Sequence, residues 1–305
     1  MKNNDIHENI IINPSAELVP TIHIPPISNK VLEHIEPTKE QICKCKEYLN
    51  KRFGYYCIVP KARTAIGIAL DYYNLHKDDV VTILTTTGNF YISSCVTKEV
   101  EKRCLWNREI TDKTKVIFVN HEFGYPYEKL ADLKRYNLPI IEDCAYAFFT
   151  EDKQMGTIGD FVVYSLPKAF PMQMGGILQS TIGKITYQED YAVREYVTNK
   201  LAIEIEHINL IRKKRLRNWH ILSEQLQKIN AKPLMFPKGT IPGVMLFEWE
   251  NAIDYPKLKE FMQCHGVESS VFYGKPAYFI PSHQLLTLAE MNYMISLLQY
   301  WANNY

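Results

Sequence analysis

Three groups of residues in the chain have types and spacing suited to chemistry on a bound organic group. In IIEDCAY (140–146), Asp143 ends an apolar run. A carboxylate at the carboxyl end of a strand lies where open α/β sheets bind ligands. The same Glu142-Asp143 pair would serve equally well as a helix cap or a solvated strand end. In YSLPKAFPMQMGG (164–176), Lys168 follows a strand-like run in a loop bracketed by Pro167 and Pro171, with Gly175 and Gly176 beyond it. A lysine partly withdrawn from water gives up its proton and can form a Schiff base with a carbonyl, whereas a solvated one stays a surface charge. In KARTAIGIAL (61–70), small residues open a helix and leave the amides of Thr64, Ala65 and Ile66 to meet an anion, unless Thr64 is only a cap. The lysine loop lacks the Gly-x-x-x-x-Gly-Lys order of a nucleoside-triphosphate loop.

Taken together, an anion cup, a carboxylate and a lysine are what pyridoxal phosphate (PLP) requires for its phosphate, its ring nitrogen and its aldehyde. The elements that must position them follow from periodicity. TKEQICKCKEYLNKRF (38–53) starts on a possible N-cap and ends before Gly54, which predicts a helix. ARTAIGIALDYYNL (62–75) predicts a second. VVTILTT, KVIFVN and LPIIED are short β-branched runs separated by sequence able to form helices, including PYEKLADLKRYN (126–137), an order that favours a parallel, helix-covered sheet. FVVYSL and GGILQSTIG read as further strands. A long helical stretch spans about 189–229 and requires a break or bend. Beyond it, VMLFEWE, YPKLKEFMQCHG and LAEMNYMISLLQYWAN read as a strand and two helices of a smaller α+β unit. We therefore expect a Pro- and Asn-rich extended arm over 1–30, a large domain over 31–205 and a small domain over 206–305.

Bulk properties exclude other classes. The chain has 305 residues, 46% of them hydrophobic, enough for a large and a small domain. Lys and Arg number 35 against 34 Asp and Glu, so no global field points to nucleic acid or an anionic membrane. RKKRLR (212–217) reads as a solvated helix face. The N-terminal residues MKNNDIHENIIINPS lack a secretory signal's basic start and apolar core, and no segment is apolar for long enough to span a bilayer, so a cytoplasmic location is expected. The 7 cysteines are odd in number and lack a second close pair beside Cys43 and Cys45; free thiols and no metal are expected.

Several motifs carry a resemblance to the DegT-like family of PLP-dependent sugar-nucleotide aminotransferases. ARTAIGIAL resembles that family's Gly-x-x-Ala-Leu helix start, and NHEFGYP (120–126) its Val-His-Leu-Tyr-Gly-Gln-Pro segment. LPIIEDCAYAF (138–148) resembles Leu-Pro-Val-Ile-Glu-Asp-Ala-Ala-Gln-Ala. GTIGDFVVYSLPKAFPMQMGGIL (156–178) resembles Gly-x-x-Gly-Asp followed by Ser, Lys and Gly-Gly. HGVESSVFY (265–273) and IPSHQLLT (280–287) resemble Gly-Ile-x-Thr-x-x-His-Tyr and Leu-Pro-Leu-His-Pro-x-Leu-Thr. The resemblance implies the fold type I of PLP-dependent transferases: a mainly parallel, helix-covered sheet in the large domain and a smaller C-terminal α+β domain. It implies that Lys168 bonds the cofactor and moves the substrate proton, and that Asp143 keeps the ring nitrogen protonated. Ser165 with the amides of Thr64 and Ala65 would hold the phosphate, and His121 and His283 fall at substrate-side positions.

Departures from the family pattern are equally specific. Tyr146 replaces a Gln three residues after the aspartate, with its hydroxyl available to the cofactor's ring oxygen or its ring to packing. Ser165 precedes Lys168 by three positions rather than five. In TTTGNFYISS (85–94), Phe90 is the expected stacking aromatic, with Asn89 and Tyr91 as the other candidates. The Gly-Tyr-Asn-x-Arg segment that reaches across the dimer is not recognisable after Gly176; TYQEDYAVREYVTNK (186–200) stands there, and Arg194 and Asn199 would contact a neighbouring site or face water. The expected activity is transfer of an amino group from an amino acid, glutamate foremost, to a keto-sugar nucleotide in surface glycan or related biosynthesis, by a homodimer with the site at its interface. Retention of Lys168 argues against the branch of the family that carries His there and dehydrates its substrate. A non-sugar keto acceptor and a non-catalytic dimeric scaffold are the alternatives.

Overall fold

The computed structural model describes residues 21–27, 36–249 and 253–304. Helix α1, Lys39–Phe53, forms where the sequence predicts it. Thr38 Oγ1 accepts from the Gln41 amide at 3.2 Å while the Gln41 side chain accepts from the Thr38 amide at 2.9 Å, and Gly54 ends the helix at φ +62°. The chain continues through β1 (Tyr55–Val59), α2 (Ala62–Asp71), β2 (Val80–Thr85), α3 (Ser94–Glu101), β3 (Leu105–Asn107), β4 (Thr114–Asn120), β5 (Ile140–Asp143), β6 (Phe161–Ser165), the short helix α4 (Leu166–Ala169) and β7 (Gly176–Ser180).

These strands form one seven-stranded sheet in the order β1-β7-β6-β5-β4-β2-β3. Strands β2 to β6 run parallel, and β7 runs antiparallel between β6 and β1. The mainly parallel, helix-covered sheet is the expected one. Its β-branched runs are buried on both faces: Val81, Ile83, Val116, Phe118, Ile141 and Val163 pack with the apolar sides of α2 and α3, while Val162, Tyr164 and Ile177 pack with α1 and with α5 (Tyr191–Glu204).

One expected helix is different. PYEKLADLKRYN supplies only a 3-10 turn, Ala131–Tyr136, closed by Asn137 at φ +57°. Pro126 and the tight turn before it use up the start of the segment. The remainder needs only to lay Leu130 and Leu133 over Ile117, Val119 and Ile140 before β5 begins.

The long helical stretch breaks, as expected, at a 3-10 turn, Ile205–His207, and resumes as α6, Ile208–Gln227. Helix α6 joins two cores. Ile211 packs with the large sheet, whereas Trp219, Leu222 and Leu226 pack with a four-stranded antiparallel sheet. That sheet is ordered β10 (Ser270–Val271), β11 (Ala277–Pro281), β9 (Val244–Trp249), β8 (Ala231–Pro233), with α7 (Tyr255–Cys264) and α8 (Leu288–Asn304) against it. RKKRLR is not a uniformly solvated face. Arg215 is 1% exposed because Ile211, Arg215, Asn218 and Leu222 fall on one helical stripe, and that stripe faces inward.

Of the expected arm over 1–30, only 21–27 lie among the described residues. They follow the chain's own small domain: Ile22 bridges Val267 in parallel and the Ile24 amide donates to a Glu268 carboxylate oxygen at 2.9 Å. His283 secures this run. Its Nδ1 accepts from the Leu285 amide at 3.2 Å, which leaves the proton on Nε2, 3.0 Å from the His23 carbonyl. Burial, with the Arg215 charge adding to it, pulls the imidazole down to about 3.

The neutral ring is thus the folded form, so stability is fully present above the unfolded pKa of about 6.5 and is lost as pH falls toward 3. Urea denaturation at successive pH values should show this loss in the wild type, at up to about 1.4 kcal/mol per pH unit. The same dependence should be absent from His283→Gln, so that the difference between the two curves carries it; equal slopes in both proteins would contradict the assignment.

Candidate active site

A cavity of about 400 Å³ opens at the carboxyl ends of β4, β5 and β6, against the first turns of α2 and α3. Asn120, Asp143 and Ser165, the last residues of those three strands, line it together with Lys168, Tyr146, His121, Ala145, Tyr91, Phe123, Glu122, Cys95, Lys61 and Arg63. This is the edge at which parallel sheets bind ligands.

Asp143 is buried, and its Oδ1 accepts from the Ala145 amide at 2.9 Å. Burial pushes its carboxyl above the usual carboxylate range, against the pull of Lys168, the Ala145 amide and His121. Lys168 extends from α4 with Nζ 3.9 Å from the centroid of the Tyr146 ring. Burial lowers its pKa from the usual lysine range, and the nearby Asp143 and Cys95 oppose that change. A half-buried amine that gives up its proton more readily than a solvated lysine therefore shares a cavity with a buried carboxyl group.

The strand end is held rigidly. Glu142, beside Asp143, takes backbone N–H bonds from Gly156, Ile158 and Gly159 at 2.6–3.1 Å, and a fourth bond from His121 Nε2 at 2.9 Å. His121 Nδ1 accepts from the Tyr127 amide at 3.0 Å, which fixes the tautomer. Both ring nitrogens of His121 are committed to the protein. Cys144 lies close to His121 and Glu142, whose ring nitrogens and carboxylate oxygens are thus engaged with the protein, and burial holds the Cys144 thiol protonated.

The anion cup differs in detail from the expectation. Helix α2 begins at Ala62, the first residue of the expected run, so the Thr64 and Ala65 amides donate to the Lys61 carbonyl at 2.9 and 3.4 Å and are not free for an anion. The amides left without an intrahelical acceptor include those of Ala62 and Arg63, which line the cavity. Strand β7 reaches this turn only because residue 176 is glycine: a Cβ there would stand 2.9 Å from the Ala62 nitrogen.

The aromatic wall also differs. Phe90 is 74% exposed and lies outside the cavity; Tyr91 lines it, packed on Phe123, Phe272 and Phe279. Phe123 holds φ +52°, a left-handed conformation that a bulky residue adopts only when packing enforces it, here against Tyr91, Tyr146 and Phe279. Tyr146 packs by its ring, over Phe123 and against Gly243. His283 lies in the small-domain contact described above and is not part of the cavity lining. Glu122 was not anticipated, although it stands where the family motif has Leu. It is buried, one oxygen accepts from the Thr87 amide at 2.7 Å, and the other has no partner among the described residues. Arg63 and Cys95 were also missed; the Arg63 guanidinium donates to Cys95 Sγ at 2.8 Å.

Fold and cavity define a chain built on the architecture of PLP-dependent aminotransferases. It superposes on NtdA from Bacillus subtilis with bound cofactor PMP at a TM-score of 0.70, with 14% identity, covering 100% of this chain and 90% of that one. For the PLP form of the putative sugar aminotransferase Spr1654 from Streptococcus pneumoniae the values are 0.66, 14%, 94% and 98%. For the aminotransferase TlmJ from Streptoalloteichus hindustanus they are 0.67, 13%, 87% and 91%. At these identities the likeness is one of fold. In sequence, residues 104–181 match the model of the DegT/DnrJ/EryC1/StrS aminotransferase family, bearing out the resemblance over the segment that carries Asp143 and Lys168. No curated protein matches the chain in sequence.

Glu142→Ala would strand two buried amides, of Gly156 and Gly159, and the part-buried amide of Ile158, at about 1–3 kcal/mol each, comparable with a typical domain's whole stability of about 5–15 kcal/mol. Little folded protein should accumulate, whereas Phe90→Ala should stay within about 0.5 kcal/mol of wild type. Denaturant midpoints check both; a stable Glu142→Ala protein would contradict this account of the strand end.

Proposed function

We propose that the protein is a PLP-dependent aminotransferase that moves an amino group from an amino acid, glutamate foremost, to a keto-sugar nucleotide. The observation that carries this reading is the enclosure of Lys168, with its lowered pKa, and buried Asp143 in one cavity at the carboxyl edge of the sheet.

The residues present fit the cofactor. The cavity's size suits a small organic phosphate. The Ala62 and Arg63 amides, the Ser165 hydroxyl and the positive end of α2 suit its phosphate. Asp143 suits a protonated ring nitrogen, and Tyr91, Phe123 and Ala145 offer apolar surface to a flat ring. When bound, PLP supplies an electron-accepting ring that stabilises negative charge developing on the substrate carbon.

The chain's own groups do the rest. Asp143 holds a proton on the group it faces, because a buried carboxylate beside a positive charge is paired rather than stranded. Lys168 holds the cofactor and then carries a proton from and to the substrate carbon, a role for which a lowered pKa suits it. The bonds of His121 and Glu142 keep β5 from shifting while it does so. His121 acts through this network rather than by touching substrate. The aromatic wall excludes water from one side of the site. We further infer a homodimer in the cytoplasm, with the family's role in surface glycan biosynthesis. No described helix is long and apolar enough to cross a membrane.

PLP-loaded protein mixed with glutamate should release one equivalent of 2-oxoglutarate per site, and a nucleotide-linked keto sugar should then restore the starting absorbance. Restoration by simple 2-keto acids alone would shift the acceptor to a non-sugar compound. Absence of 2-oxoglutarate from protein with bound PLP, across a panel of amino donors, would contradict the reading.

A further inference from the structure

Helix α4 is a single turn of four residues, and its carbonyls have little helix left to bond to. Leu166 O accepts from the Phe170 amide at 2.8 Å, which leaves the carbonyls of Lys168 and Ala169 for partners elsewhere. Those partners come from distant parts of the chain. One terminal nitrogen of Arg215, on α6, donates to Lys168 O at 2.9 Å and to Ala169 O at 3.3 Å. Gln284, in the loop between β11 and α8, donates from Nε2 to Ala169 O at 2.9 Å. Arg215 Nε donates in turn to Gln284 Oε1 at 2.7 Å, which fixes the orientation of the amide.

Arg215 is 1% exposed and Gln284 5%, and among the described residues no carboxylate lies within ion-pair distance of Arg215. Its guanidinium packs instead over the Phe149 ring, 5.1 Å from the centroid. A buried cation without a counter-charge is costly, and a helix face needs none. What it gains is a set of charge-assisted bonds to the backbone of one turn, stronger than a neutral side chain would make.

We propose that Arg215, oriented by Gln284, is a positioning residue for Lys168: it fixes the backbone that carries the lysine and makes the lysine's placement depend on docking of the small domain. The clamp joins three elements. Helix α6 bridges the two cores, the Gln284 loop belongs to the C-terminal unit, and α4 follows the carboxyl end of β6 in the large sheet. Burial supports the picture, pulling the Arg215 guanidinium down to about 9. The groups facing the Lys168 amine are Asp143 from β5, Tyr146 from the loop after it and Cys95 from α3, so a displaced turn would change the amine's distance from each.

This inference rests on Lys168 as the reactive lysine, so its test reads the lysine with and without cofactor. In cofactor-free protein, the rate at which Lys168 is acetylated by acetic anhydride across pH, followed by peptide mass spectrometry, gives the pKa of the amine. PLP affinity is read separately by titration. Arg215→Met should raise the Lys168 pKa by about one unit toward that of a free lysine and weaken PLP binding roughly tenfold, as loss of a supporting hydrogen bond does at other sites. Arg215→Lys should recover part of both effects. Should Arg215→Met not fold, Gln284→Leu carries the same expectation. Asn218→Ala is the control: it removes a buried bond from the same helix to the His283 carbonyl, 2.7 Å long, without touching the Lys168 turn. It should lower stability and leave the labelling profile unchanged. An unchanged profile in folded Arg215→Met or Gln284→Leu, or an equal shift in Asn218→Ala, would overturn the proposal. A shifted profile in a protein that binds no PLP would keep the positioning role and remove the proposed function.

Discussion

Withdrawing Lys168 and Asp143 from water disfavours the charged form of each, and each offsets part of that penalty for the other. Such a balance holds only while the two side chains keep their places, because the interaction between buried charges changes steeply with distance and with water entry. The surrounding structure can be understood as what prevents either from moving. On the Asp143 side, four hydrogen bonds to Glu142 anchor the end of β5. On the Lys168 side, Arg215 and Gln284 anchor α4. Gly176 allows β7 to approach closely the first turn of α2, which lines the cavity.

These constraints tie the site to both cores. The large sheet supplies the strand ends, but the turn that carries the lysine is bonded to a helix shared with the small sheet and to a loop of the C-terminal unit. The 21–27 segment is bonded to the same loop through His283. The small domain is therefore bonded to the turn that carries Lys168 without placing a side chain in the described cavity lining.

Legibility in the sequence tracked how local the determining physics is. Helix α1 was readable to the residue because its cap, its capping box and its terminal glycine lie within the segment itself. The parallel sheet was readable from β-branched runs, and with it the places of Asp143 at a strand end and of Lys168 just after one; either residue taken alone reads equally well as a cap or a surface charge. Which amides the first turn of α2 leaves free was not readable, because its cap position is Lys61, whose side chain makes no capping bond, and the free amides are those of Ala62 and Arg63. Phe90 and Tyr91 are adjacent, and only the path of the loop decides which ring turns inward. Arg215 sits in a basic run that resembles any solvated face; a count along the helix places it on the stripe of Ile211 and Leu222, but composition hides this. His283 matches a family motif, yet its Nε2 serves the backbone of a distant segment at His23, a pairing with no local signal.

Borohydride reduction of the protein after incubation with PLP, followed by peptide mapping, tests the central claim most directly. The account predicts a single stable phosphopyridoxyl adduct on the peptide containing Lys168, lost in Lys168→Ala and weakened in Asp143→Asn. A folded wild-type protein that takes no adduct at Lys168, or takes it instead on exposed lysines with no preference, would contradict it.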